Sequence, residues 1–425
     1  MPGSVPLVLS CTVCTVDDLN RRYSLSKDAA KAEPPASRPL SIVSWQGFGS
    51  KEGLRLDAHL AEAPALSYLT VRREGSFGGA VQAVDDNLIV LDSYDGCTCA
   101  VYLVYDAVEQ SLTKIHSHPS SLSPVQPGMK LDISPALRVL IARLPGDDGR
   151  SYALVKMAQK AMYNIQDKST EKQDVLYMWR SRSRQWFEIR AEFPPQFKGD
   201  YVARSNMTLL PFTCGGHAFW ANLFRGIMYC RVDAMLAALA PHSRPLKFGF
   251  INIPVELSTP CPISCALEMR SDMYRTIGRS GESSIKFVTI DGFVQLLNFS
   301  DCMLNVWSLS PDKDMHRWTK SSLCLGSLVA QFKNDDLPID MVPMYPSLSA
   351  EEDDVVYFML GEYTKCCHAH RGSKNRCNGY IPRAKNPRYH IRVDMCRGVL
   401  LSYARLPDPV SPSMAITSTS VVPCQ

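Results

Sequence analysis

The chain has 425 residues, 45% apolar and 21% charged, which are ordinary globular values and exclude a wholly disordered protein. Its length is about three domains' worth and ample for a large core. With 46 Lys+Arg against 42 Asp+Glu the formal net charge is +4, too mild to announce nucleic-acid binding.

Residues 1–40 read as a flexible leader, since Asn20 to Pro39 is dominated by polar residues, Ala and Pro. The apolar stretch Val5 to Val16 lacks a positive flank and runs into Asp17 and Asp18, so no secretion signal is expected. From residue 41 to 406 the texture is short strands closed by turns. Asn87 to Leu91, Cys97 to Asp106 and Ser111 to Ile115 are three such strands. Leu137 to Leu144 turns at Pro145–Gly149 into Ser151 to Met157. Val175 to Trp179 turns through Arg180–Arg184 into Trp186 to Arg190. A single short helix is predicted at Val232 to Ala240, rich in strong helix formers and stopped by Pro241. Further on, Ile285 to Ile290, an Asp291-Gly292 hairpin turn, Phe293 to Phe299, Cys302 to Leu309 and Arg317 to Lys320 give four strands in under 40 residues. That is the size of one propeller blade. Tyr389 to Asp394 and Val399 to Tyr403 close the series, and 407–425, with four Pro, read as a disordered tail.

The last apolar residues before the outer turns are Tyr105, Trp179, Trp220, Trp307 and Val393, at intervals of 74, 41, 87 and 86. One interval matches a 40–50-residue blade repeat and the rest lie near twice that. The expected fold is therefore all-β with one short helix, a β-propeller-like domain of about six to eight small antiparallel sheets.

Gly216 to Cys230 (GHAFWANLFRGIMYC) resembles the core motif of a plant, grass-expanded family, domain of unknown function 1618 (DUF 1618). The motif places a Trp, then an Arg-Gly-Ile run and a Cys, here Trp220, Arg225, Gly226 and Cys230. Similar elements follow at Phe250–Pro254, Ile285–Val288, Val306–Leu309, Met344–Pro346 and Asp354–Phe358, so the resemblance is densest over 215–360. Asn222 stands where the family has an acidic residue. The resemblance implies a β-rich, propeller-like fold and no established reaction, so it supplies no catalytic residue. Arg-Gly at a hairpin tip is ordinary turn chemistry, and a structural role is expected for the four motif residues.

Cys366, Cys367, His370 and Cys377 are the metal candidates, because thiolate and imidazole suit zinc. They lack two regular ligand pairs and fall in a polar stretch, Lys365 to Arg388, which reads as an inserted loop. His116-Ser117-His118 is similar to the zinc pair of JAMM-type deubiquitinases. Gln126 and Met129 occupy the positions where that site needs Ser and Asp, so no site is expected. From Gly361 to Arg405 there are ten Lys/Arg and two Asp/Glu, beside an acidic cluster that includes Glu351 to Asp354. This is read as a solvated basic run whose field its acidic neighbour largely cancels.

No cofactor, catalytic residue or membrane span is expected. The 15 Cys show no framework spacing and indicate an intracellular protein, in cytoplasm or nucleus. The expected role is a non-catalytic module that binds other proteins. The alternatives are a substrate adaptor of a ubiquitin ligase and an enzyme with its site at a propeller axis.

Overall fold

The computed structural model describes backbone and side chains for residues 81–92, 101–106, 108–109, 111–116, 138–145, 150–160, 170, 172–197, 209–240, 242–257, 271, 273–281, 284–293, 299–310, 317–331, 341–362 and 388–406. Beyond these, it describes the backbone of the other strand residues named below.

The fold is all-β and of propeller type, with five sheets rather than the six to eight expected. The first holds β1 (Val5–Ser10), β2 (Thr12–Thr15), β3 (Pro39–Trp45), β4 (Leu54–His59), β5 (Leu66–Arg72), β6 (Gly78–Asp85), β7 (Leu88–Tyr94), β8 (Val101–Asp106) and β9 (Ser111–His116). The second holds β10 (Met129–Pro135), β11 (Leu140–Arg143), β12 (Tyr152–Asn164), β13 (Thr170–Arg180) and β14 (Gln185–Glu192), extended by β18 below. The third runs β15 (Leu209–Cys214), β16 (His217–Asn222), β17 (Gly226–Arg231) and, after β18 (Leu246–Lys247), β19 (Gly249–Asn252). The fourth is β20 (Arg275–Ser280), β21 (Ser284–Asp291), β22 (Met303–Leu309) and β23 (Thr319–Cys324). The fifth is β24 (Val342–Leu348), β25 (Val355–Cys367), β26 (Tyr380–Asp394) and β27 (Val399–Arg405). The last strand, β28 (Ile416–Val421), pairs antiparallel with β1 and so joins the first sheet.

The sheet count is lower than expected because β2 pairs with both β5 and β6. That double pairing joins β3–β5 and β6–β9, which would otherwise be separate sheets, into a single ten-stranded one. Strands also run through the segments read as leader and tail, at Val5–Ser10, Thr12–Thr15 and Ile416–Val421. The polar stretch after Lys365 is likewise not a loop throughout. β25 continues to Cys367 and β26 begins at Tyr380, with Cys367 opposite Tyr380. Two short helices are described, α1 (Val232–Ala237) and α2 (Gly326–Val329); the second is too short to leave a sequence signature.

Two compact units are formed. One comprises residues 1–115, 261–308 and 318–425, and the other 116–260 and 309–317. In the smaller unit, the two sheets bury one continuous core, with Leu140, Val155, Met178, Phe193, Trp220 and Met228 among its members. α1 lies on this core because Val232 and Met235, three apart, share one face and are buried. In the larger unit, the inward faces are aromatic: Phe287, Phe293, Phe299, Trp307, Tyr357 and Phe358 are almost fully buried.

The return strand expected at Phe293 to Phe299 falls mostly outside the described residues. Phe293 follows in a turn, Phe299–Asp301 is a 3-10 turn, and residues 294–298 lie outside the described residues. Phe293 and Phe299 are both buried in the core, 0% and 1% exposed. Asp291 accepts hydrogen bonds from Thr289 Oγ1 at 3.0 Å and Asn305 Nδ2 at 2.7 Å, tying the end of β21 to β22. The sheet is completed from the other side by β20, Arg275–Ser280, whose polar composition hid it.

Candidate functional site

The family-motif residues lie on one hairpin, β16–β17. β15 reaches it through Gly215-Gly216, both with positive φ (+54° and +72°), the arrangement of a two-residue type I′ turn. Trp220 is 1% exposed and packs edge-to-face on Phe248 at 5.7 Å. Asn222 is buried and turns the chain: its Oδ1 accepts the Phe224 N–H at 2.9 Å, and its carbonyl accepts the Arg225 N–H at 3.2 Å. An amide oxygen performs this Asx turn without a charge to bury, which accounts for Asn in place of an acid. Gly226 has φ +152°, and a Cβ there would lie 2.3 Å from the Phe250 ring and 2.5 Å from the Ile251 carbonyl oxygen. Gly249 faces the reciprocal situation, with the Tyr229 ring 2.3 Å from where its Cβ would be. The adjacent strands β17 and β19 thus each carry a glycine that admits the other's aromatic ring. Burial pushes the Cys230 thiol up to about 12, so it stays a neutral core thiol. Arg231 and Asp233 form an exposed two-pronged pair, at 2.9 and 2.6 Å, that holds the Asp233 carboxyl down at about 2.

Of the metal candidates, the side chains of Cys366 and Cys367 and all of His370 and Cys377 lie outside the described residues. Among the described residues, no three His, Cys, Asp or Glu are grouped as a metal would need. No helix of the described residues is long and apolar enough to cross a membrane.

The densest polar chemistry surrounds the turn between β24 and β25. Ser349 Oγ accepts the Glu352 N–H at 3.1 Å. Glu352 receives the Arg392 Nη2 at 2.5 and 2.6 Å. Asp354 Oδ1 accepts from Lys286 Nζ at 2.8 Å, and Asp353 Oδ1 accepts from Ser284 Oγ at 2.8 Å. One acidic turn therefore grips β21 of the fourth sheet and β26 of its own. Arg392 belongs to the basic run, so part of that run's charge is met by the acidic cluster, as its sequence neighbourhood indicates.

Lys286 is only 5% exposed, whereas Asp353 and Asp354 are more than half exposed. Removing an acid therefore strands a buried ammonium, while removing the lysine frees carboxylates that water can solvate. Asp354→Asn is expected to lower stability by about 2 kcal/mol, below the fully buried range because the carboxylate is half in solvent. Lys286→Met is expected to stay within about 1 kcal/mol of the parent. Urea denaturation of both variants measures the asymmetry, and equal losses would contradict it.

The outer strand β27 presents a different surface. Arg392 pairs with Ser402 and Val393 with Leu400, so Leu401 is the extra residue of a β-bulge. Leu401 and Tyr403 are 38% and 40% exposed, and Arg405 is exposed beside them. Bulge and edge position were not readable from sequence, because they depend on register.

No curated protein matches the chain significantly. Among solved structures, it is similar to the WD40 domain of SCAP from fission yeast, at 8% identity over 88% of this chain and 89% of that one, with a TM-score of 0.28. It is also similar to a mutant of the Synechocystis apocarotenoid oxygenase, at 9% identity over 83% of this chain and 72% of that one, with a TM-score of 0.31. Likeness at this level carries no argument about function. The family comparison is more local: the model of DUF1618, a protein of unknown function, matches residues 220–357, within the 215–360 segment where the motif residues are densest. Over that segment, about a third of its length, the chain is similar to the DUF1618 family.

Proposed function

We propose that the protein is a non-catalytic interaction module that docks an extended, acidic segment of a partner protein against the outer edge of the fifth sheet. The observation that carries this reading is the exposed stripe Leu401, Tyr403 and Arg405 on β27. Leu401 and Tyr403 are two of four large apolar side chains exposed among the described residues. An aromatic ring beside an aliphatic side chain is a common anchor pair at protein interfaces. The bulge disfavours open-ended strand addition and so supports side-chain docking over backbone pairing. Charge selects the partner: from Gly361 to Arg405 the chain has ten Lys/Arg against two Asp/Glu, which favours an acidic partner and faster encounter at low salt.

The family motif belongs, in this reading, to the framework: Trp220, Gly226 and Cys230 keep the hairpin packed, and Arg225 sits in its turn. We place the protein inside the cell, in cytoplasm or nucleus. Support comes from Cys230, a buried core thiol that forms no disulfide, as a reducing compartment permits.

A pull-down from source-tissue extract with the parent protein and with a Leu401→Asp/Tyr403→Asp double variant tests the reading. Both sites are exposed, so the variant should fold normally by circular dichroism. The parent is expected to retain a partner that the variant loses by at least about tenfold. Recovery of the same proteins by both, or of none by the parent, would overturn the proposal.

A further inference from the structure

Five arginines stand at one end of the second sheet. Arg143 closes β11, and Arg150 lies in the turn before β12. Arg180 closes β13, and Arg182 and Arg184 lie in the turn at 181–184 that leads to β14. Register brings them together: Arg143 is opposite Tyr152, Ala153 opposite Arg180, and Arg180 opposite Gln185. The two turns are also tied to each other. The Ser181 N–H donates to the Tyr152 carbonyl at 3.0 Å, and the Tyr152 N–H donates to Ser181 Oγ at 3.0 Å. Adjacent strands lie about 4.8 Å apart, so the row from β11 to β14 is about 14 Å wide.

The tip of this end is strained, and its charge is not neutralised. Arg184 has φ +53°, a left-handed backbone that glycine ordinarily fills. Its N–H donates to the Arg180 carbonyl at 2.8 Å and closes the turn. Its exposed side chain gains nothing in return: among the described residues, neither Arg184 nor Arg180 has an ion pair. Arg150 and Arg182 are exposed beside them. The first acid along β14, Glu188, is held by Lys160 at 3.1 Å. The β11–β12 turn adds Asp147 and Asp148, which lie outside the described residues, so five arginines stand against two acids here. Backbone strain spent on an arginine without an internal partner points to a partner outside the chain.

We propose that this end of the second sheet is a binding surface for single-stranded RNA, whose phosphates run along the arginines of the two turns. A row of this width suits successive phosphates better than a single anion, and the arginine fork matches phosphate oxygens in pairs. Trp186, opposite Trp179, is part-exposed, and its Nε1 donates to the His116 carbonyl at 2.9 Å. The ring is therefore held in place, and a base stacks on its open part. Ser183 and Gln185 are exposed among the arginines and offer polar groups to the ribose 2′-hydroxyl. A protein partner fits less well. The large apolar side chains exposed among the described residues are Val108, Val255, Leu401 and Tyr403, and none is in these turns. A protein interface needs an apolar centre, whereas a nucleic-acid interface is polar and positive. The net charge of +4 does not announce the patch, because most of the acids that offset it lie elsewhere in the chain. The surface uses none of the β27 stripe residues, so either reading can fail without the other.

The test is fluorescence anisotropy of the full chain with a labelled oligouridine RNA of about 15 nucleotides. Contact with about three phosphates predicts a log–log salt slope of about −2, so affinity should fall about fifteenfold between about 50 and about 200 mM NaCl. Arg182→Gln/Arg184→Gln is expected to weaken binding about tenfold and to make the slope shallower by about 1. Arg184→Gly removes the charge and the strain together. It should melt close to the parent and still bind about threefold more weakly, which keeps the test valid if the double variant fails to fold. Oligothymidine of the same length is expected to bind several-fold more weakly, for want of the 2′-hydroxyl. Equal affinity for the DNA would overturn RNA as the ligand. No saturable binding at the lower salt, or equal binding by parent and variants, would overturn the surface. Binding of a polyglutamate peptide as tight as that of RNA would also overturn the proposal, in favour of an acidic protein.

Discussion

Gly226→Ala is expected to destabilise the protein by at least about 3 kcal/mol, since it combines backbone strain with overpacking. At φ +152° an L side chain is strained whatever the space around it. The space is also occupied: the new Cβ would lie 2.3 Å from the Phe250 ring and 2.5 Å from the Ile251 carbonyl oxygen. The ring could swing away only by leaving the smaller unit's core, where Phe250 packs on Phe197 at 5.8 Å. The carbonyl belongs to β19, directly paired with β17, and cannot move without breaking the ladder. Gly216→Ala supplies the control, because at φ +72° its Cβ would meet nothing within 4 Å. That variant should lose only the strain, about 1 kcal/mol. Urea midpoints of the two variants separate the effects. Equal losses would mean that the close approach of Phe250 to Gly226 is unimportant to stability.

Trp220→Ala is expected to cost about 3–5 kcal/mol, the range for emptying a large aromatic site in a core. Trp220 is 1% exposed and belongs to the cluster that joins the two sheets of the smaller unit. Its partner Phe248 also stacks edge-to-face on Phe193, at 5.4 Å, so a cavity at Trp220 loosens contacts in both sheets. Trp220→Phe should cost much less, about 1–2 kcal/mol. The reason is specific: the indole Nε1 is buried without a hydrogen-bond partner, so replacing indole by phenyl loses volume but no hydrogen bond. Thermal or urea unfolding of the pair checks this. If phenylalanine were as damaging as alanine, the indole N–H would be engaged after all.

Both predictions concern the family motif, and they show why a structural role suits it. Trp220 and Gly226 act within one packed hairpin, on opposite sides of an Asn222 turn, and Cys230 completes the same core. None of these positions presents chemistry to solvent.

The local part of this fold was legible in the sequence. Hairpins such as β13–β14, with the turn at Arg180–Arg184, and the edge pair β26–β27 follow from apolar runs and turn residues close in the chain. The start of α1 at Val232 follows from its helix formers, with Asp233 in the first turn. The all-β class follows from the same signals. What the sequence could not decide was anything resting on register or on partners far along the chain. Phe293, expected to begin a strand, lies in a turn, and Arg275–Ser280 is a strand despite its polarity because β21 pairs with it. Trp220, aligned by spacing with Trp179 and Trp307, stands in the second strand of its sheet, whereas Trp307 stands in the third. Composition cannot distinguish strand from anchored loop, since both bury apolar side chains; only the pairing partner does. The polar row across the fifth sheet, where Ser347 opposes Tyr357, Tyr357 opposes Arg392 and Arg392 opposes Ser402, needed the most from tertiary structure. Ser347, Tyr357, Arg392 and Ser402 are separated by up to 35 positions between neighbours in the row, and two bulges bring them to one face. Length, composition and charge bounded the class of the molecule, while register decided which of its polar groups stand together.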